Sequence, residues 1–344
     1  MQARNKPQYR VKTMAEIRAE PRNGYTVATT FAGGGGSSTG YEMAGYSVIW
    51  ANEFVEAARA TYRANHPDTH LDPRDIRDVQ AADILKACNI KAGELDIFDG
   101  SPPCNSFSTA GKVQKKWGQV SEYYGKKQVC DDLFFDYARI LRDLQPKVFI
   151  AENVSGLTRG VCKGYFLRIL QELKSCGYKV EARLLAAHRL GVPQMRVRVI
   201  FIGVRQDLAA APVFPKPLPY VYTIRDAIEG LRDDVEPQAW LSGKSQAAWH
   251  ETTPGKHHKK YHTRWKSVYN EPAHTLCAAG GVWHPVQPRE FSIAEMKRLN
   301  SVPDDYILHG SYRERYERCG LCVPPVMMMH IAAAVRDGIL DKLK

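Results

Sequence analysis

The tract DGSPPCNSFS, residues 99–108, sets Cys104 directly behind two prolines, with small polar residues after it. Proline fixes φ and drives the residue before it out of the helical region, so Pro102–Pro103 forms a stiff, extended elbow. An ordinary core cysteine has no need of such an elbow. A thiol that must attack from one fixed pose does. Further along, KVFIAENV delivers Glu152 and Asn153, and QMRVRVIFIGV offers Gln194, Arg196 and Arg198. A nucleophile, a carboxylate and two guanidiniums at the ends of separate strands are hard to explain as packing.

A second constellation lies upstream in TFAGGGGSSTGYEMAGYSVIWANE, which reads as strand, glycine turn, helix and strand, closing on an acid. Glycine lets a ligand approach the backbone, and the following helix opens with free N–H groups. Glu53, twenty positions after Gly33, stands where an acid can bond two ribose hydroxyls. The structural alternative is a tight strand–helix turn with no ligand. No Lys-Ser/Thr follows the glycines, which disfavours a P-loop, and a G-x-G-x-x-G frame begun at Gly33 puts Ser38 in the third glycine place. The run F-A-G-G-G-G is instead similar to the F-x-G-x-G-G loop of enzymes that use S-adenosylmethionine.

The elements that must position these groups alternate regularly. Strand-like runs at 25–31, 46–54, 95–100 and 147–153 are interleaved with helical patterns, VEAARATYRANH, 131–145 and YFLRILQELKSCG, and a strand pair follows around YKVEARLLAA and VRVIFIGV. Such alternation predicts an α/β fold with an open, mostly parallel sheet and helices on both faces. The ligand crevice of such a sheet lies beyond the carboxyl ends of its strands. After Val204 the rhythm breaks. Residues 205–288 are rich in proline, hold several tryptophans and carry the basic patch HHKKYHTRWK, which predicts a smaller, irregular domain. Helical spacing resumes at 291–302 and near the C-terminus, so residues 289–344 are expected to return to the first domain, 1–204.

The chain has 344 residues, with 48 Lys+Arg against 37 Asp+Glu, a net charge of +11. That excess fits a polyanionic partner or a solvated basic face. The longest apolar runs are strand-length, so no membrane span is expected. The charged N-terminus lacks the apolar core of a secretory signal. Eight irregularly spaced cysteines fit a reducing cytosol. Cys319 and Cys322 form a lone C-x-x-C without a second pair, and His257, His258 and His262 stand among lysines where phosphate or solvent is the natural neighbour, so no metal is expected.

Taken in order, the glycine loop, GSPPCNSFS, ENV, QMRVR, REFSIAEMKRLNSVPDDY and GLCVPP resemble the motifs of the DNA cytosine-5 methyltransferase family, from Phe31 to Pro325. The resemblance implies a Rossmann-like class I methyltransferase domain with a smaller target-recognition domain at 205–288. It also implies S-adenosylmethionine as cofactor and methyl transfer to C5 of a flipped cytosine in double-stranded DNA. By the same resemblance Cys104 is the nucleophile that adds to C6, Glu152 bonds N3 and the exocyclic amine, Arg198 holds the O2 edge, and Arg196, Asn153 and Gln194 support the site. Phe31, Ala32, Gly33, Gly35, Gly36 and Pro102 would line the cofactor, Glu53 its ribose, and Asp75 and Ile76 its adenine. The stretch 111–129 interleaves lysines with Trp117, Tyr123 and Tyr124, as a lid over DNA phosphates would. Ser106, Lys112, Lys115, Lys116, Arg264 and Thr275 would meet DNA. A cytoplasmic monomer is expected, and a cognate restriction endonuclease is a partner the family admits. The chain departs from the family with Leu321 where Asn is usual and Asn105 where Gln is commoner. The Cys-Phe-Thr signature of the tRNA-modifying branch is absent. A non-catalytic DNA-binding relative finds support only in Leu321, and a nicotinamide-dependent oxidoreductase is disfavoured by the glycine spacing.

Overall fold

The computed structural model describes residues 6–103, 121–123, 126–128, 133–231 and 234–343. Cys104, Asn105, Ser106, Lys112, Lys115, Lys116, Trp117 and Tyr124 lie outside them. In chain order the strands of the first half are β1 (Thr26–Thr30), β2 (Ser47–Asn52), β3 (His70–Asp72) and β4 (Ile97–Gly100). A separate antiparallel hairpin follows, β5 (Ser121–Tyr123) with β6 (Lys126–Gln128). Then come β7 (Val148–Val154), β8 (Tyr178–Ala186) and β9 (Val197–Arg205). The helices are α1 (Met14–Ala19), α2 (Gly36–Met43), α3 (Glu56–Asn65), α4 (Ala81–Cys88), α5 (Leu133–Leu144) and α6 (Lys163–Ser175).

Seven strands form one sheet in the order β3-β2-β1-β4-β7-β9-β8, and β9 runs against both of its neighbours. Strands buried on both faces read as near-continuous apolar runs, as VFIA and VIFIGV do. One face carries α4, α5 and α6 over Ala28, Phe98, Phe149 and Phe201. The other carries α2 and α11 (Pro325–Gly338) over Val27, Ile97, Val148, Ile150 and Ile200. The alternation of partners along each strand follows from the two-residue period of side chains. The longest apolar stretch, within 312–343, breaks at Cys322–Pro324 and is mostly buried in the fold, as a core helix would be.

Beyond β9 the elements are short: α7 (Ile224–Ile228), α8 (Gly243–Glu251) and the two-residue parallel pair β10 (Trp265–Lys266) and β11 (Val282–Trp283). Two later helices, α9 (Ile293–Leu299) and α10 (Tyr312–Leu321), share an apolar core with Ile224, Ala227, Ala273 and Leu276. The C-terminal segment therefore serves both bodies: α9 and α10 pack on the irregular region, and α11 on the sheet.

Close packing between the central strands leaves no room at Gly203, where an added Cβ would lie 1.9 Å from the Phe149 ring. Gly203→Ala should lower unfolding stability by about 1–3 kcal/mol in urea titration; a loss under about 0.5 kcal/mol would contradict that packing.

Candidate active site

Strand order reverses between β1 and β4, and side by side their carboxyl ends open a crevice where open α/β sheets bind ligands. A cavity of about 590 Å³ occupies it, within the ordinary range for small-molecule sites. Its first wall is the glycine loop. Phe31 takes φ +54°, a left-handed conformation rare outside glycine and a form of backbone strain found at ligand sites. Gly33 N–H donates to Glu53 Oε2 at 2.8 Å, and Val55 N–H donates to Oε1 at 2.8 Å, so one carboxylate ties the loop to the end of β2. Burial pushes the Glu53 carboxyl above its ordinary pKa, while those two N–H donors and the charges of Arg318 and Arg59 pull the other way. α2 begins at Gly36, and Gly36 and Ser37 border the cavity with the unbonded N–H groups of its first turn nearby.

Gly35 faces away from the cavity. At φ +93° an added Cβ would meet His66 Nε2 and the Tyr306 hydroxyl, each at 2.6 Å. His66 Nδ1 lies 3.0 Å from Glu42 Oε1, and its Nε2 lies 3.2 Å from the Tyr306 hydroxyl and 3.3 Å from Thr39 Oγ1. Tyr306 in turn donates to the Gly34 carbonyl. A buried chain of polar groups thus runs from α2 through α3's end to the residues after α9, and it braces the loop from beneath.

The second wall is the turn after β4 and the end of β7. Asn153 Nδ2 donates to the Pro102 carbonyl at 3.1 Å, and its Oδ1 accepts from Val154 N–H at 2.8 Å. The double-proline elbow is therefore pinned to β7 just before Cys104. Glu152 Oε1 and Arg198 Nε are 2.8 Å apart, both largely buried. The register makes this contact: Glu152 pairs with Ile200 and Val154 with Arg198 across the antiparallel strands, so both side chains leave the same face.

The third wall comes from the irregular region. Ala273 N–H donates to the Pro193 carbonyl at 2.9 Å, Met195 N–H to the Ala273 carbonyl at 2.7 Å, and Thr275 Oγ1 to the Met195 carbonyl at 2.9 Å. Gln194 completes the seam, accepting from Leu276 N–H at 3.1 Å and donating to Leu299 O and Asn300 Oδ1. The buried Arg196 guanidinium reaches the Leu276 and Gly320 carbonyls, at 3.3 and 3.1 Å. Burial, and then the nearby charge of Arg198, lower its pKa to about 10.

Phe31, Ala32, Gly33, Gly36, Glu53, Asp75, Ile76, Pro102, Glu152, Asn153, Arg196, Arg198 and Thr275 all line the one cavity. Gly35 and Gln194 stand behind its walls as braces. Arg264 is not at the cavity and bonds Glu290 Oε1 at 3.3 Å. Cys104, Ser106, Lys112, Lys115 and Lys116 fall outside the described residues. Sequence reasoning passed over Phe54 and Arg318, which also line the cavity, and the brace of Glu42, His66 and Tyr306. Only the acid followed by an aromatic in NEF could have pointed to Phe54; the other residues meet through distant parts of the chain.

A doubly wound seven-stranded sheet, with one antiparallel strand near its edge and an acid-anchored glycine loop at the switch point, is the framework of a class I methyltransferase. The C-5 cytosine-specific DNA methylase model matches residues 25–337. The chain is 31% identical to the Type II methyltransferase M.NgoPII of Neisseria gonorrhoeae, over 92% of this chain and 97% of that protein. It is 30% identical to M.PspPI of Psychrobacter, covering 93% and 81%. Among solved structures, a DNA modification methyltransferase from an Escherichia coli prophage superposes with a TM-score of 0.75 at 21% identity, covering 92% and 99%. Spodoptera frugiperda DNMT2 gives 0.65 at 17%, covering 89% and 97%. The chain belongs to the C-5 cytosine-specific DNA methylase family, and DNA cytosine-5 methylation is its activity.

Two substitutions test the brace under the glycine loop. Tyr306→Phe removes one hydrogen bond and should cost about 1 kcal/mol. Gly35→Ala both strains φ and collides with His66 and Tyr306, so it should cost more, by chemical denaturation. Finding Tyr306→Phe the more damaging of the two would contradict the packing described.

Proposed function

We propose that the protein methylates C5 of a cytosine flipped out of a specific duplex DNA sequence, with S-adenosylmethionine as methyl donor and a transient bond between Cys104 and C6. The observation that supports this reading is the single cavity that joins the Glu53-anchored loop to the double-proline elbow and the Glu152–Arg198 pair. The residues present fit the cofactor. Each Glu53 oxygen accepts one backbone N–H and keeps a lone pair for a ribose hydroxyl. Asp75 and Ile76 offer an acceptor and an apolar surface for adenine, and Phe31 an aromatic wall. Bound there, S-adenosylmethionine supplies an electrophilic methyl group on a sulfonium.

The chain's own groups prepare the base. Cytosine C5 is a poor nucleophile, and addition of the Cys104 thiolate at C6 makes it enamine-like and nucleophilic. Glu152, held by Arg198, would contact N3 and the exocyclic amine, where a proton stabilises the charge that builds on the ring. Arg198 would also bond the O2 edge. After methylation, loss of the C5 proton to a base expels the thiolate and restores the ring. Asn153 sets the pose of the attacking group by fixing the Pro102 carbonyl. Residues 205–288 would read the target, with Arg264, Thr275, Ser106, Lys112, Lys115 and Lys116 toward DNA, in a cytoplasmic monomer that accompanies a restriction endonuclease of matching specificity.

Purified protein should transfer labelled methyl groups to duplex DNA. Cys104→Ala should abolish transfer, and Glu152→Gln should lower kcat by about 10²–10³. Normal turnover by Cys104→Ala, or methylation of tRNA but not DNA, would overturn the reading. Bisulfite sequencing of host DNA after expression identifies the target.

A further inference from the structure

The basic patch HHKKYHTRWK takes no part in the cavity, yet it is more tightly folded than a solvated face needs to be. Residues 255–266 double back on themselves. Gly255 N–H donates to the Lys266 carbonyl at 2.8 Å, Lys266 N–H to the Lys256 carbonyl at 3.1 Å, and His258 N–H to the Arg264 carbonyl at 2.9 Å. The buried His258 ring fixes the bend, its Nδ1 accepting from the N–H groups of Lys260 and Tyr261, each at 3.1 Å. Its Nε2 lies 3.3 Å from Glu251 Oε2, and the Tyr261 ring stacks on it with centroids 5.0 Å apart.

The bend sorts its cations. Arg264 is held by Glu290 at 3.3 Å, and Lys266 turns inward over the Trp249 ring, 3.4 Å from its centroid. Lys256, Lys259 and Lys260 are exposed, and none of the three forms an ion pair with a carboxylate among the described residues. Three ammonium groups so close in the chain repel one another, a cost that a polyanion would reverse. The bend is also tied to the cavity. Ring contacts run from His262 to His257 at 5.2 Å, from His257 to Trp265 at 5.3 Å, and from Trp265 to His274 at 4.0 Å between centroids. His274 precedes Thr275, which lines the cavity and bonds the Met195 carbonyl. A duplex with one base in the cavity carries its phosphates past the mouth, one helical turn spanning roughly 34 Å. A surface three ring contacts from the wall falls within that length.

We propose that the bend at residues 256–262 is a clamp for the DNA backbone, in which Lys256, Lys259 and Lys260 take phosphates and leave base reading to other parts of region 205–288. The inference rests on the reading above, in which a cytosine of duplex DNA enters the cavity. An ammonium is a point charge on a flexible stem, without the planar fork of a guanidinium. It suits phosphates, which carry the same charge at every step of the duplex and no sequence. The His258 bend and the ring contacts fix where these charges stand relative to the cavity. The clamp therefore sets how the duplex lies over the mouth, whatever its sequence.

The test is equilibrium binding of labelled duplexes, with and without the sequence that the unmodified protein methylates, over a series of salt concentrations. The triple variant Lys256→Ala, Lys259→Ala, Lys260→Ala should bind about a hundredfold more weakly at about 0.15 M salt, with the slope of log K against log salt reduced by about 2.7. The loss should be equal on both duplexes. Each single substitution should remove about a third of that slope. Lys256→Arg, Lys259→Arg, Lys260→Arg together keep the charge and should restore both affinity and slope. All three side chains are exposed, so the variants should fold, and S-adenosylhomocysteine affinity measured without DNA should not change. An equal loss of S-adenosylhomocysteine affinity would trace the defect to the fold and overturn the clamp. An unchanged salt slope would overturn it too, because the lysines would then touch no phosphate. So would a loss confined to the methylated sequence, because they would then read bases. If the unmodified protein neither binds nor methylates duplex DNA at any salt concentration, it is the proposed function that fails.

Discussion

Charge buried at the ends of strands must be paired or hydrogen-bonded, and the contact between Glu152 and Arg198 is the place where this fold meets that demand at its working edge. Removing one partner of a buried pair costs about 3–5 kcal/mol because the other is left uncompensated. The pair exists only because β9 runs against β7 in a register that sets Ile200 opposite Glu152 and Arg198 two residues beyond it. A parallel strand there would carry its residues past the edge in the other direction. The one reversed strand near the sheet's edge is thus a condition of the site. Ile150 and Ile200, buried on the same face, give the pair an apolar floor.

A second demand follows from the first. The start of β9 has to be held still, because Arg198 is only one residue into it, and the seam from Pro193 to Arg196 does this with partners from the irregular region. Ala273, Thr275 and Leu276 bond to that seam through main-chain groups and three side chains, those of Thr275, Gln194 and Arg196. Whatever region 205–288 contacts is therefore connected, through a few hydrogen bonds, to the strand that carries the guanidinium. Gln194 and Arg196 matter as fasteners of that connection: Gln194 bonds both Leu276 and residues after α9, and Arg196 bonds Leu276 and the end of α10. Region 205–288 and the strand that carries Arg198 are thus joined by one hydrogen-bonded seam.

Much of this was legible in the sequence because period and motif point at the same edge. The runs at 25–31 and 46–54 contain β1 and β2, that at 147–153 holds all of β7 but Val154, and the motif residues at their ends converge on one cavity. The elements that escaped have physical reasons. β3 is three residues long, and the period of a strand cannot be read from three residues. α10 ends in Gly320 and Leu321 of the last motif and holds the charged stretch YRERYER, which masks its narrow buried side of Tyr316, Cys319 and Gly320. Glu42, His66 and Tyr306 are individually unremarkable residues whose contact depends on three elements far apart in the chain. The bond of Arg264 to Glu290 is a long-range contact that no local pattern reveals.

The exchange of asparagine for Leu321 bears on how much of the last motif is side chain and how much is main chain. Arg196 reaches the carbonyls of Gly320 and, at 3.5 Å, Leu321, so its clamp on this segment is indifferent to the side chain at 321. Gly320 is the position that tolerates no change, because a Cβ there would lie 2.4 Å from the Ala278 nitrogen and would pry α10 from the irregular region. The motif's geometry is therefore carried by the glycine and two carbonyls. Leu321 itself projects into the cavity wall and is 44% exposed, giving an apolar surface where an amide would give a donor and an acceptor. Across the cavity, polar groups are supplied by Glu53, fixed by the Gly33 and Val55 N–H groups, and by the N-terminal turn of α2. Leucine at 321 changes the polarity of that wall and leaves the main-chain frame that holds it unchanged.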